Sequence, residues 1–452
     1  MTQSRTAGPR THARGARGLV LIGLSLVCVA PSGCVTVQSA ASMSSTIPDG
    51  LSRTAPHEAE SVVWPARWGD GAPGIGKGVV VAVDGPLRAW YPRRHGSWHR
   101  RLPKEGDEAI VRALAAGRAG EAGYQFRLEG EGAFIFQRDS EVPAPKGARG
   151  RDEPSFMFVF ASGRVAERRA DEPRVEVQRT WFAYYDHRRG GSAEPGDPGE
   201  GVVMLLPGLF GVPEGVVDVM VATMRQRGWN VVRMLAPPAG FVARSDLKID
   251  SGAGAEASAR EAASELMDRV AETAYAAEGA IGHVLARRPA LSDRPKVILG
   301  GSAGALALPA AVMRTPGVYD AAVLIAGGAN LLEIVTRSSY TGPVEALEFE
   351  WTGFDGTPDR GALERVASAY LAHAPLDAGN AAAALHGTPV LMLQATADDA
   401  IPPDTGDRLW RALGEPERWL VSGNHLTLFM SLWLYTPRIM DWVEANAGGV
   451  DP

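Results

Sequence analysis

From about Arg174 to the C-terminus, short apolar runs alternate with longer stretches of helical periodicity, and this alternation constrains the fold more than any other feature of the chain. GVVMLLPG, WNVVRMLAPP, KVILGG, YDAAVLIAGG and TPVLMLQA are apolar at odd and even positions alike, so each predicts a strand buried on both faces. VEVQRTWFAYY is a candidate for a paired strand. Between these lie the helical segment VVDVMVATMRQRG, closed by Gly228, an Ala-rich helix from about Ala255 to Arg287, a helix after Ser302 and the helix TGDRLWRALG. A short strand, RWLVSG, and a helix, LWLYTPRIMDWVEANAG, complete the pattern. Strands and helices in alternation give an α/β fold, a mostly parallel central sheet with helices on both faces.

Residues 62–169 read differently. GVVVAV, YQFRLEGEGAFIFQ and SFMFVF predict a strand-rich N-terminal module, with a helix in DEAIVRALAAG near Val111. Within it GAPGIGKG, Gly71 to Gly78, spells a phosphate-loop pattern but ends in Gly where Ser or Thr would hold magnesium. It also precedes a strand, so its amides would not converge at a helix N-terminus, and it is read as no nucleotide site.

The first 33 residues carry Arg5, Arg10, Arg14 and Arg17 and no acid, and LVLIGLSLVCVAPSG is too short an apolar run for a stable membrane-spanning helix. This is the pattern of an export signal. Its end, PSGC, resembles the lipobox of bacterial lipoproteins, which implies acylation at Cys34, although Pro31 stands where Leu is usual; cleavage near Ala41 and an uncleaved anchor are the alternatives. The expected location is then the exported side of a membrane, at the periplasm or cell surface. Residues 34–61, rich in Ser, Ala and Pro, suit a flexible tether.

Processing at Cys34 would remove four arginines and take the formal charge from −6 to −10, which excludes an electrostatic case for nucleic acid as a partner. The two cysteines, Cys28 and Cys34, both lie in the leader, so the exported fold has no disulfide framework and no Cys-ligated metal.

The segment Gly300-Gly301-Ser302-Ala303-Gly304 fits G-x-S-x-G, and its flanks give the pattern weight: a strand, Val297-Ile298-Leu299, precedes it and an Ala/Leu-rich helix follows. A sharp strand-to-helix turn needs small neighbours, which Gly300 and Gly304 supply. Pro309 interrupts the helix and should kink it. A second GGSA at Ser192 has Glu194 in place of the final Gly, followed by Pro195, Gly196, Asp197 and Pro198, and reads as a surface turn.

A serine at its free pKa is a poor nucleophile and needs a base and an orienting acid. Here the chain resembles the α/β-hydrolase family, whose triad runs in the order Ser, acid, His. VLMLQATADDAIP looks like that family's acid strand and loop, implying Asp398 as the acid with Asp399 as its rival, and SGNHLTLF looks like its histidine loop, implying His425 as the base. His57, His95, His99, His187, His283, His373 and His386 fit that order less well. Pro207-Gly208-Leu209-Phe210-Gly211 resembles the family's oxyanion loop with Pro in place of His, so the N–H of Leu209 or Phe210 would join that of Ala303. HAPLDAGNAAAALHGTPVLMLQATADDAIP is similar to the prolyl-oligopeptidase-like and dienelactone-hydrolase-like members.

The resemblance implies a serine hydrolase of residues 170–448 that acts on an ester or related acyl bond of a small molecule or peptide through an acyl-enzyme, with no metal or organic cofactor. A serine peptidase of the same fold and a non-catalytic binding lipoprotein are the alternatives. The polar insertion at residues 331–377, with Tyr340, Phe349, Trp351 and Phe354, is a candidate lid over an acyl pocket.

Overall fold

A computed structural model describes residues 154–167, 174–187, 197–209, 214–235, 245–339, 347–352 and 360–448, and the backbone of five short strands upstream. Those five are β1 (Thr36–Gln38), β2 (Val79–Val83), β3 (Tyr124–Glu129), β4 (Ala133–Arg138) and β5 (Val142–Pro143). They are followed by β6 (Phe156–Glu167), β7 (Arg174–Tyr185), β8 (Gly201–Leu206), α1 (Glu214–Gln226), β9 (Trp229–Met234), β10 (Ser245–Asp250) and the long α2 (Ala255–Arg287). Next come β11 (Lys296–Gly301), α3 (Ala303–Arg314), β12 (Ala321–Ile325), α4 (Leu331–Arg337), β13 (Leu347–Thr352) and α5 (Arg360–His373). The chain continues through α6 (Ala378–Ala381), β14 (Val390–Ala395), α7 (Pro403–Ala412), β15 (Glu417–Val421) and α8 (His425–Asn446).

The main sheet runs β1-β15-β14-β12-β11-β8-β9-β7-β6-β4-β3, with β2 beside β7 and β5 beside β6. From β9 to β15 the pairs are parallel, whereas β7 is antiparallel to both β6 and β9. Because side chains alternate across a strand, each central strand feeds two cores. Met204, Ile298, Leu324 and Met392 point to the face covered by α2 and α3, while Val203, Leu299, Val323 and Leu393 point to the face covered by α1 and α8. Burial on both sides explains why these strands carry no alternating polar set. Helix α2 keeps the bounds its composition suggests, and its many alanines let α3 and α5 pack closely against it. Helix α3 runs unbroken across Pro309, which is buried within it.

Three expectations change. The stretch expected to be an unstructured tether contains β1, which pairs antiparallel with β15. The sheet passes straight across the expected boundary at residue 169, because β6 and β7 pair along most of their lengths. The insertion at residues 331–377 is not a simple polar excursion: it contains two helices and β13, which pairs in parallel with β10 to form a second, two-stranded sheet. That pairing joins the excursion after β9 to the excursion after β12, a contact invisible in either segment alone. Trp351 packs partly buried against the core. Cys34, the segment near Val111, GAPGIGKG, Ser192, Phe210, Tyr340 and Phe354 lie outside the described residues.

Candidate active site

Strand order reverses at β8 and β9, and a crevice opens at the carboxyl ends of the strands on either side of such a reversal. β8 and β11 are parallel neighbours with Leu206 opposite Gly300, so the loops that follow them, at Gly208 and at Ser302, rise side by side. A Cβ added to Gly208 would lie 3.1 Å from the Cβ of Ser302. Glycine is what lets the two loops come this close.

Ser302 follows β11 and caps α3 at φ 50°, ψ −116°, a positive-φ conformation that a residue with a side chain adopts only under constraint. The constraints are visible. Its N–H donates to the Ile325 carbonyl at 2.8 Å, and its own carbonyl accepts from Leu306 N–H at 3.0 Å, opening the helix. A Cβ on Gly300 would meet the Gly304 carbonyl oxygen at 2.5 Å, and one on Gly304 would meet the Leu206 carbonyl oxygen at 2.3 Å. The two flanking glycines thus let the strand, the first helical turn and β8 pack onto one another.

β14 leads into the loop that carries Asp398, whose Oδ1 accepts from the N–H groups of Ala400 (3.0 Å) and Ile401 (2.7 Å). β15 leads, through Ser422 to Asn424, to His425. His425 is not in a loop, as expected, but is the first residue of α8, where Asn424 is the N-cap and accepts from Thr427 N–H. Its Nδ1 lies 3.0 and 2.9 Å from the two carboxylate oxygens of Asp398, and its Nε2 lies 3.1 Å from Ser302 Oγ. A carboxylate only accepts, so Nδ1 carries the ring proton and Nε2 offers its lone pair to the serine hydroxyl. Asp398 and His425 are buried, and Ser302 is half-buried.

Asp399 is exposed, and its carbonyl accepts from Ser339 N–H. The other described histidines stand elsewhere: His187 beside Asp197, His283 stacked on Phe158, His373 on Glu256, and His386 near the Ala412 carbonyl. Ala303 is the first residue of α3, directly after the serine, and Leu209 follows Gly208 on the loop after β8.

One neighbour escaped the sequence reading. Phe429, one helical turn after His425, places its ring 4.8 Å from the imidazole, and its edge lies 3.0 Å from where a Cβ on Gly301 would stand. It packs against the histidine and the nucleophile strand together. The i to i+4 spacing would have revealed it had the helix been started at Asn424.

Residues 280–428 match the sequence model of the prolyl oligopeptidase family, a span that takes in Ser302, Asp398 and His425. No curated protein sequence matches the chain. Among solved structures, Est1E from Butyrivibrio proteoclasticus is 14% identical, with 60% of this chain and 96% of that one covered at a TM-score of 0.37. The Pyrococcus furiosus esterase Pf2001 is 12% identical, with 72% and 94% covered at 0.36. The Pyrococcus horikoshii acylaminoacyl peptidase is 11% identical, with 73% and 50% covered at 0.37. These likenesses are too distant to speak for a reaction. The parallel run from β9 to β15 with β7 antiparallel beside β9, the strand ends that carry Ser302, Asp398 and His425 in that chain order, and the match over residues 280–428 identify the chain as a protein of the α/β-hydrolase fold.

Proposed function

We propose that the chain is a serine hydrolase that cleaves an ester or related acyl bond. Ser302 Oγ attacks the acyl carbon while His425 Nε2 takes its proton, and Asp398 holds the imidazole and balances the cation that forms. The N–H groups of Leu209 and Ala303 receive the developing oxyanion, with Phe210 as the alternative donor on the first loop. The protonated histidine then gives its proton to the leaving group, and water, activated by the same nitrogen, releases the acyl group from Ser302. The single observation that carries this reading is the unbroken sequence Asp398–His425–Ser302, with every link near 3 Å, ending on a serine at φ 50°.

Labelling with a fluorophosphonate tests it. The wild type should be modified at Ser302 and S302A should not; failure of the wild type to label would instead favour a binding protein on this scaffold. The match to the prolyl oligopeptidase family favours a second reading, a peptidase, and parallel assays on p-nitrophenyl esters and aminoacyl amides separate the two. The N-terminal sequence supports export and a lipid anchor at Cys34, facing the periplasm or cell surface, which fractionation of a C34S variant would test.

A further inference from the structure

We infer that the outer face of α8 docks on a phospholipid surface and brings the site to acyl esters that reside there; the substrate half of this inference rests on the hydrolase reading above. Among the described residues, the exposed large apolar side chains are Val219, Leu426, Met430, Trp433 and Leu434. Four of the five are on α8, at i, i+4, i+7 and i+8, and therefore on one face of the helix. They are between 47% and 55% exposed, and Val219 is on α1, the helix against which α8 packs. The stripe begins at Leu426, the residue after His425, so its upper end adjoins the proposed base.

Charge and side-chain chemistry favour lipid over a protein partner. Between Glu417 and Asp441 there is no carboxylate side chain, while Arg438 is exposed on α8, in a chain whose formal charge is −6. The next acids, Asp441 and Glu444, are paired with Arg227, the residue after α1. An apolar stripe carrying Trp, free of acids and flanked by Arg, suits the headgroup boundary of a bilayer, where the indole can remain partly wet. α8 would lie on the membrane rather than span it, since no described helix is long and apolar enough to cross one. β1 pairs with β15 so that Thr36 is opposite Leu420, beside the end of β15 from which α8 departs. Cys34 is two residues further upstream in sequence.

The full chain with C28S and C34S, which leaves no native cysteine, is labelled with the environment-sensitive fluorophore NBD at M430C, and separately at S292C, at the opposite end of β11 from Ser302. Vesicles of phosphatidylcholine and phosphatidylglycerol should shift the 430 emission to the blue and raise it, with no change at 292. No vesicle-dependent change at 430, or an equal change at both positions, would overturn the docking. As a second arm, M430Q/W433Q/L434Q keeps helix-forming residues on the surface. It should hydrolyse a soluble short-chain p-nitrophenyl ester as the wild type does, yet lose about tenfold or more on a long-chain ester embedded in the vesicles. Equal rates on the embedded ester would overturn the substrate half. A shift in sedimentation coefficient between wild type and variant, with no lipid response at 430, would assign the face to a second protein copy and overturn the inference. If the wild type hydrolyses neither ester, the hydrolase reading fails, and the NBD signal alone decides the docking.

Discussion

Gly304 faces the backbone of Leu206 so closely that a Cβ on it would sit 2.3 Å from the Leu206 carbonyl oxygen. The first turn of α3 therefore rests directly on β8, which fixes the height of Ser302 above the loop at Gly208. G304A should lose stability by about 1–3 kcal/mol, the usual cost of forcing atoms into a closed space, and activity should fall with it. G208A is the contrasting case, because its Cβ would meet the Ser302 side chain at 3.1 Å and the Gly301 carbonyl oxygen no closer than 3.4 Å. It should lose turnover with little change in denaturation midpoint. Urea unfolding and kcat measured on the same preparations distinguish the two.

The proposed acid, Asp398, can be tested against its neighbour. D398N should reduce kcat by about three to four orders of magnitude, because an amide in that place no longer favours the tautomer that leaves Nε2 free. D399N should stay within about twofold of wild type, since Asp399 is exposed and contributes only its main-chain carbonyl. Steady-state kinetics with circular dichroism as a folding control checks both; a larger loss for D399N would reverse the assignment.

Asp377 is buried and accepts from the N–H groups of Asn330, Leu331 and Gly379 and from the hydroxyl of Tyr370. Burial pushes its carboxyl above the usual range, against the pull of those donors. The stability linked to this shift is present at pH below the ordinary carboxyl value and is lost as pH rises through the raised one. Replacement is nonetheless costly, because it strands buried donors. D377A should destabilise by about 3 kcal/mol or more, and D377N should fail to restore it, since its NH2 group cannot accept. Thermal or denaturant unfolding of both variants provides the check.

Arg337 grips Asp404 with two hydrogen bonds of 2.8 Å and also contacts Glu333, which pairs with Arg408 at 2.6 Å. The Arg337 guanidinium holds the Asp404 carboxyl below its usual 3.8. The sign is opposite to that of Asp377: the stabilisation is present above that usual value and disappears as pH falls through the lowered one. Asp404 is about half exposed, so after solvent screening D404N should cost only about 0.5–1 kcal/mol at neutral pH. The gap to wild type should close in acid and shrink in high salt, measurable by thermal unfolding along a pH series.

The residues of the site were legible in sequence because each is marked by local chemistry. Ser302 sits between glycines at a strand-to-helix junction, Asp398 follows a wholly apolar strand, and His425 follows the last one. What the sequence hid was pairing over distance. β10 and β13 are short and partly polar, and each makes sense only beside the other, about a hundred residues away. The run of antiparallel strands beyond β7 was read as a separate module because edge-to-edge hydrogen bonding leaves no mark in composition. The early start of α8 did leave a mark, Asn424 as N-cap, but Pro437 and the expectation of a histidine loop obscured it.

The positive-φ backbone of Ser302 has a consequence for the chain before it is finished. An isolated serine falls back to ordinary angles, and the hydrogen bond from its N–H to Ile325 requires β12 to be seated beside β11. His425 comes later still, after the last strand of the sheet. On the proposed hydrolase reading, reactivity therefore cannot precede assembly: a nascent or half-collapsed chain would be chemically silent, and labelling of Ser302 during refolding would serve as a clock for the last step of folding.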